Sequence, residues 1–466
     1  MGDRSSIVSV LLVLFAGFAL FISGCNAPKD QLTAFDMQFV CRNYEQSAVF
    51  AQNKIRGKDK PCGEDLLWTL QLGSIERMRH NYEKSSEYFD KAEDMLKFFD
   101  EQFNAGDVIL TTAVNDNVLP YKGEEYDGVM VNTYKALNFM MMGKQDLARV
   151  EFNRAMDRQR RAKEVFANEI VKLNEEIEAG QKKNTFTKSN IENPQTREII
   201  GKSYPDLSNF KAYPDFVNPF ATYMAGVYFN LTDDPSKAVD LLKESYGMVE
   251  GNSYLADDLA CTESILSGKG RLGNTVWLIF ENGLGPVKDE VRIDIPLFVV
   301  TKEVRYFGIA LPKLRYRSAA YSYLTAEAGG KGYQTQVVAD MDRVIHIEFD
   351  KDFGAILTRA IISASAKAVA QYALQNSNNN SSDGQWAAIA MAVYSAMTTA
   401  ADVRIWTALP KDFQVARFAM PTDNRVRILA DNRIIQEIEL PDCNNAIIYV
   451  KILTKCAEPI CHIMAF

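Results

Sequence analysis

Cysteine and histidine are the most reactive residue types in this chain, and one cysteine has a special position. The chain has 466 residues, with seven cysteines and three histidines. Cys25 directly follows an apolar run from Ile7 to Ile22 and the small residues Ser23 and Gly24. A bilayer span needs about 20 apolar residues, whereas a secretory signal has a shorter run with a small-residue exit. The pattern therefore predicts a removed signal over residues 1–24.

The residues around Cys25 resemble the bacterial lipobox. In that motif the signal is cut between the residues at the positions of Gly24 and Cys25, and the thiol carries a diacylglycerol. The resemblance implies lipidation of Cys25, followed by a tether over residues 25–33. Asn26, in place of an inner-membrane Asp signal, favours the cell outer membrane, lipid-anchored and facing the periplasm. Several acyl chains make attachment stable, whereas a single chain binds marginally. A plain signal peptide or a short anchor helix is the alternative.

The other cysteines are an even set, which in an exported protein permits disulfides. They are Cys41, Cys62, Cys261, Cys443, Cys456 and Cys461. We predict a disulfide between Cys41 and Cys62, and another pair within the last 24 residues. The terminal cysteines and His462 lack the paired spacing of a zinc knuckle, so a disulfide or free thiols are favoured over a metal site.

The chain shows no motif of a catalytic or nucleotide-binding site. The Gly-rich segment 268–273 matches the dinucleotide fingerprint by letter, but a helical segment precedes it and a strand follows, so we predict a connector loop. None of the histidines has a recognisable setting for acid–base catalysis: His80, His346 and His462. We expect no enzyme activity, cofactor or metal. The alternative is an envelope enzyme that acts on glycan or peptide through carboxylates that meet only in three dimensions.

Composition and charge limit the partners. The chain is 47% hydrophobic and 24% charged, with a net charge of −8. The predicted signal contains one Asp and one Arg, so its removal leaves the charge unchanged. Because no basic excess exists, we expect no nucleic-acid partner. Because no nucleotide-binding motif is present, we expect no nucleotide either. The length allows two or three domains.

The first half predicts a degenerate tetratricopeptide-like array of antiparallel helix pairs over residues 34–266, with a long loop near 181–218. Four segments share a pattern of small and large apolar residues. Their aligned small residues are Ser47, Ser85, Ala148 and Ala238, separated by 38, 63 and 90 positions. A regular array has a period of about 34, so these repeats carry insertions. Stacked pairs bury a continuous core, and we expect a partner in their concave groove.

The second half, residues 267–466, predicts a mostly antiparallel β domain, because short β-branched and aromatic runs are bounded by Gly, Pro and Asp. The run "RVIHIEFD" is predicted as one of these strands. A helical hairpin at about 353–401 interrupts the strands, and Asp431-Asn432 forms a hairpin turn. The fold class is therefore α+β. A lipid-carrying role for the Ala-rich hairpin and sheet would need a large apolar cavity.

The chain resembles an uncharacterised tetratricopeptide-like lipoprotein family of Gram-negative bacteria. The resemblance rests on the lipobox and on "PYKGEEYDGVMVNTYKALNFMMMG", "FENGLGPVKDEVRIDIPLF" and "DVRIWTALPKDFQVARFAMP". It implies no activity. Its members are often encoded near lipoproteins that activate peptidoglycan polymerases, which implies a role in cell-envelope assembly or regulation of peptidoglycan synthesis. We therefore expect an outer-membrane lipoprotein that acts as a protein-binding scaffold, with an unidentified envelope protein as its partner.

Overall fold

Helices form the first part of the molecule. The computed structural model describes residues 28–57, 61–104, 120–183, 193–205, 218–249, 251–298, 304–377, 400–455 and 457–466. Before the first strand, the described helices are α1 Pro28–Val40, α2 Tyr44–Gln52, α3 Asp65–Met78, α4 Tyr82–Asn104, α5 Glu125–Met141, α6 Gln145–Lys183, α7 Pro194–Ser203, α8 Pro219–Leu231, α9 Pro235–Met248 and α10 Ser253–Leu266.

Four helix pairs share one turn geometry: α1 with α2, α3 with α4, α5 with α6, and α8 with α9. Each turn has a left-handed residue with φ between 58° and 68°: Arg42, His80, Gly143 and Asp233. The backbone N–H of the residue after the left-handed one donates to the carbonyl five residues earlier, at 2.8–3.0 Å. This hydrogen bond satisfies a carbonyl that would otherwise be unpaired at the end of the first helix. The small residues aligned by sequence follow each left-handed residue by five positions, and all are buried.

The small residues lie where the paired helices touch. Ser85 donates its hydroxyl to the Gly73 carbonyl at 2.8 Å. A Cβ at Gly73 would lie 2.4 Å from the Phe89 ring, and one at Gly226 would lie 2.9 Å from Leu242. The close approach of these backbones explains why the pattern alternates small and large residues.

The strands form two sheets and a ribbon. Their bounds are β1 Thr275–Asn282, β2 Val287–Phe298, β3 Val304–Arg315, β4 Thr325–Ala328, β5 Lys331–Gln334, β6 Gln336–Asp340, β7 Asp412–Ala419, β8 Arg425–Ala430, β9 Arg433–Glu439, β10 Asn445–Ile452 and β11 Ile460–Ala465. The five-stranded sheet has the order β11-β10-β1-β7-β6, the four-stranded sheet has the order β5-β4-β8-β9, and β2 pairs with β3. Among the described strands, pairing is antiparallel except between β1 and β10.

Strand β1 is the centre of a three-layer arrangement, and all of its residues are buried. Trp277 and Ile279 belong to the core shared with the helices, whereas Val276 and Leu278 belong to the core shared with the four-stranded sheet. Alternate residues of a strand point to opposite faces, so a run buried on both faces is apolar throughout. The helical array therefore packs on one face of the five-stranded sheet, and the molecule is α+β.

Helix α11, Met341–Ser377, corrects one sequence prediction. The run "RVIHIEFD" is helical rather than a strand, and the helix begins twelve residues before the predicted start at 353. Asp340 caps it by accepting from the N–H groups of Asp342 and Arg343 at 3.0 and 3.4 Å. Apolar side chains at helical spacing are buried: Val344, Ile345, Phe349 and Phe353. The second predicted hairpin helix lies outside the described residues, apart from 400–401.

The structure tests three further predictions. The hairpin turn at Asp431 and Asn432 is confirmed, with φ of 47° and 62°. The loop predicted near 181–218 is interrupted by α7, which Asn193 caps by accepting from the Gln195 N–H at 2.8 Å. The tether predicted over 25–33 is helical from Pro28 onward, so its last six residues belong to the folded body.

Candidate functional site

The predicted anchor, Gly24 and Cys25, lies outside the described residues. The nearest described element is α1, which begins three residues after Cys25. Leu32, Phe35 and Phe39 share one face of α1 and are buried. The Phe35 ring lies 5.7 Å from Phe39 and 5.8 Å from Trp68 of α3, in an edge contact. Because these side chains join the main core, α1 is a structural part of the body.

Polar contacts hold α1 against the β half as well. Arg317 donates to the Asp36 carboxylate at 3.0 Å, and the Thr407 hydroxyl donates to it at 2.5 Å. Burial raises the pKa of the Asp36 carboxyl, and Arg317 counters part of that rise. Lys29 lies 3.2 Å from Asp289 of β2. Helix α1 is thus fixed between the helical array and the strands.

A cleft of about 540 Å³ runs beside α1, between this helix and the β half. Its apolar lining comes from Leu32, Met37, Val40, Leu284, Val287, Val403, Ile405 and Leu453, and its charged lining from Lys29, Asp36, Lys288, Asp289, Arg315, Arg317 and Lys455. The cleft lies within the range of roughly 300–1,000 Å³ that small-molecule sites occupy. The sequence contained no local signal for it, because its walls come from distant segments.

The inner face of the helical array is filled by the chain itself. Every residue of α3 is buried. Trp406 donates its indole N–H to Ser74 at 3.0 Å, and Gln71 donates to Thr407 at 2.9 Å. The β half of this chain therefore fills the groove in which we expected a partner. Burial of the apolar helix faces against the β half contributes favourable free energy to folding.

A buried ionic cluster joins the two halves where α3 and α5 meet the sheet. Glu281 accepts from Lys451 and Tyr449 at 2.5 Å each, and from Tyr134 at 2.9 Å. Arg77 lies over the Tyr134 and Tyr449 rings at 4.8 and 5.0 Å. Burial opposes the charged form of Glu281, but Lys451 and Arg77 outweigh it and lower the pKa of Glu281. The carboxylate is satisfied within the cluster, so its role is structural.

Carboxylates gather at the start of α5, and they are one place where the enzymatic alternative can be compared with the structure. Both oxygens of Glu348 accept from the Glu125 N–H at 3.1 Å. Burial raises the pKa of Glu348 well above its ordinary value, Lys351 opposes the rise, and Glu124 adds to it. Burial also raises the pKa of Asp127 to about 7. Because Glu348 and Asp127 are buried, a glycan or peptide cannot reach them in this conformation.

Two of the histidines, His80 and His462, lie in contact although they are far apart in sequence. The rings of His80 and His462 are 4.3 Å apart between centroids, and the Tyr82 hydroxyl hydrogen-bonds Nδ1 of His462. Burial lowers the pKa of His462 to about 3, with contributions from Arg77 and His80. His462 is therefore neutral at physiological pH. His346 lies in α11 instead of the predicted strand and bonds the Tyr316 hydroxyl at 2.7 Å.

The predicted disulfides are not formed. Cys41 and Cys62 are free and exposed, at the end of α1 and before α3. Cys443 and Cys461 are free too, and Cys461 lies opposite Val450 in the β10–β11 pair. Cys443 precedes the start of β10 at Asn445, and Val450 lies five residues along that strand from Asn445, about 16 Å, which is far beyond the reach of a disulfide. Cys456 lies outside the described residues.

Other predictions concern cofactors, metals and membranes. The segment 268–273 connects α10 to β1 and so has a helix before it and a strand after it, as predicted. Within the described ranges, no group of three or more His, Cys, Asp or Glu side chains is arranged to hold a metal ion. No helix in the part of the chain that the structure describes has the length and apolar character needed to cross a membrane.

Comparison with known proteins adds no assignment. No protein family model matches the chain, and no curated protein matches it. The family resemblance drawn from the sequence stays a prediction, and the function has to be argued from the residues described above.

Proposed function

We propose that the protein is a lipoprotein of the outer membrane that faces the periplasm and acts as a rigid protein-binding scaffold in cell-envelope assembly or in regulation of peptidoglycan synthesis. The observation that carries the proposal is the position of α1. This helix starts three residues after Cys25, and its Phe35 and Phe39 side chains are buried in the main core. An acylated Cys25 would thus be joined to the folded body almost directly.

The short connection has a mechanical consequence. Three extended residues span at most about 11 Å, so the body would stay at the membrane surface. A long flexible tether would let the body sample a wide range of heights and orientations. Because one continuous core runs from Leu32 to Met464, the body would present its surfaces at a fixed distance from the membrane. Such an arrangement suits a scaffold that meets other envelope proteins at a set height.

The outer face of α6 is the surface that we assign to the partner. Leu147 and Val150 are 45% and 42% exposed there. Their spacing of three residues places them side by side on one helix face. The inner helix faces are excluded, since they pack on the sheet. An unidentified envelope protein would therefore contact the second helices of the pairs.

Fractionation tests the anchor. A Cys25→Ser chain exported behind a conventional cleavable signal should appear in the soluble periplasmic fraction, whereas the natural chain should sediment with outer membranes. Mass spectrometry of the natural chain should find an acylated N-terminal peptide that begins at Cys25. Cys41→Ser is the matched control, and it should remain with the membranes because Cys41 lies beyond the predicted signal. Membrane retention of the Cys25→Ser chain, or an unacylated N-terminus, would overturn the proposal.

A further inference from the structure

The cleft beside α1 has a lining suited to a hydrocarbon chain. Its apolar lining includes Leu32 and Val40 of α1 and Leu284, Val287, Ile405 and Leu453 of the β half. Burying apolar surface is worth about 25 cal/mol per Å², so an open apolar cleft gains from being filled by an apolar ligand.

The charges around the cleft are paired, which favours an uncharged occupant. Every basic side chain that lines it lies within 3.4 Å of a carboxylate: Lys29 and Arg315 with Asp289, Arg317 with Asp36, Lys288 with Glu124, and Lys455 with Asp431. An anionic headgroup would have to compete with these carboxylates. An uncharged acyl chain does not have to displace any of these carboxylates. The charge pattern therefore favours an uncharged acyl chain over a fatty acid or an anionic phospholipid.

The length of the cleft and its distance along the chain from Cys25 both fit an acyl chain attached to Cys25. From Lys29 to Val40, α1 rises about 17 Å along the cleft. A bilayer core is about 30 Å thick, so one acyl chain spans about 15 Å. Cys25 is three residues from Pro28, a reach of at most about 11 Å, and Lys29 lines the cleft close to that point.

We propose that one acyl chain carried by Cys25 lies in the cleft beside α1. The inference rests on the proposed acylation of Cys25. The other acyl chains stay in the membrane, and two chains suffice for stable anchoring. The chain in the cleft joins α1 to the β half and sets the orientation of the body at the membrane surface.

Photocrosslinking in membranes identifies the occupant. Cells are fed a fatty acid that carries a diazirine, which enters phospholipids and then the acyl chains of lipoproteins. After irradiation, the expected product is a peptide that begins at acylated Cys25 joined through its acyl chain to a cleft peptide containing Leu284 or Leu453. Cleft peptides that carry only phospholipid would overturn the proposal, because the occupant would then come from the bilayer. Crosslinks from acylated Cys25 to lipid alone would also overturn it.

A binding measurement tests the cleft itself. The Cys25→Ser chain, exported without acylation, should bind the uncharged polyene diphenylhexatriene in the absence of detergent. Thr33→Trp places an indole in the cleft, where it takes up volume that the polyene needs, so it should weaken that binding roughly tenfold, about 1.4 kcal/mol. Asp30→Trp is the control on the same helix, outside the lining, and should bind as before. Equal binding by the two Trp variants would overturn the assignment of the cleft.

The two experiments separate the inference from the proposed function. If Cys25 is acylated and anchors the protein, but its acyl chain yields no cleft crosslink, the inference alone fails. If mass spectrometry finds Cys25 unacylated, the proposed function fails, and the inference fails with it.

Discussion

Asp36 of α1 pairs with Arg317 at 3.0 Å across 281 positions of sequence, and this pair fixes the first helix to the β half. Asp36→Asn keeps the shape of the side chain but leaves the Arg317 guanidinium without its counter-charge. Breaking a buried pair costs about 3–5 kcal/mol, and the partial exposure of this pair predicts a loss nearer 2 kcal/mol. Urea unfolding should show the lower midpoint. Asp30→Asn, at an exposed position of α1, should leave the midpoint unchanged.

The buried pair of Lys451 and Glu281 predicts a larger effect. Lys451→Met leaves the Glu281 carboxylate charged and buried, with side-chain exposure of 0%. We expect a loss of about 3–5 kcal/mol in the free energy of unfolding. Adding Glu281→Gln should recover part of that loss, because the unpaired charge is then gone.

A double-mutant cycle measures the coupling between these two residues. The exposed pair of Lys243 and Glu263 is the control, and Lys243→Met there should cost about 0–1 kcal/mol. Additive effects of the Lys451 and Glu281 substitutions would contradict the buried ion pair.

Close helix contact at Gly73 predicts opposite outcomes for two glycine substitutions. In Gly73→Ala the new Cβ would lie 2.4 Å from the Phe89 ring, so we expect a loss of roughly 1–3 kcal/mol. Gly247→Ala, in α9, meets nothing within 4 Å and should stabilise the helix by about 0.5–1 kcal/mol. Thermal unfolding of both variants measures the difference. If Gly73→Ala leaves the midpoint unchanged or raises it, the close contact between α3 and α4 is wrong.

The helix turns and helix α1 show which features of the fold can be predicted from sequence and which cannot. The register of the repeats was predictable because Ser85 and its counterparts follow their turns at fixed short spacing. The run "RVIHIEFD" was misassigned because a short apolar run is compatible with both strand and helix. The contact of Asp36 with Arg317 and the cleft beside it depend on segments far apart in sequence. No local pattern marks such contacts, and the filling of the array by the sheet was missed for the same reason.

The buried imidazole of His462 predicts a specific pH dependence. In the unfolded chain His462 is protonated below about pH 6.5. In the folded chain, burial keeps the His462 imidazole neutral until the pH falls to its pKa of about 3. The unfolded state therefore binds more protons in this window, and stability falls as the pH drops from about 6.5 to 3, by up to ~1.4 kcal/mol per pH unit. In His462→Gln this contribution should be lost, so the stability curve should be flatter.

Chemical unfolding at a series of pH values measures that slope. Tyr82→Phe removes the hydrogen bond to His462 but leaves the imidazole buried, so it should retain most of the pH dependence. Parallel curves for the natural chain and His462→Gln would show that His462 is not the titrating group.

Site-specific crosslinking in living cells tests where the partner binds. A photoreactive amino acid replaces Val150 on the outer face of α6, and Ile434 in β9 is the matched position on the β half, with 42% and 48% exposure. We expect a defined adduct with one envelope protein from position 150 and none from position 434, because the proposed partner surface is helical. Mass spectrometry identifies the adduct. Capture of the same partner from position 434 alone would move the binding surface to the β half.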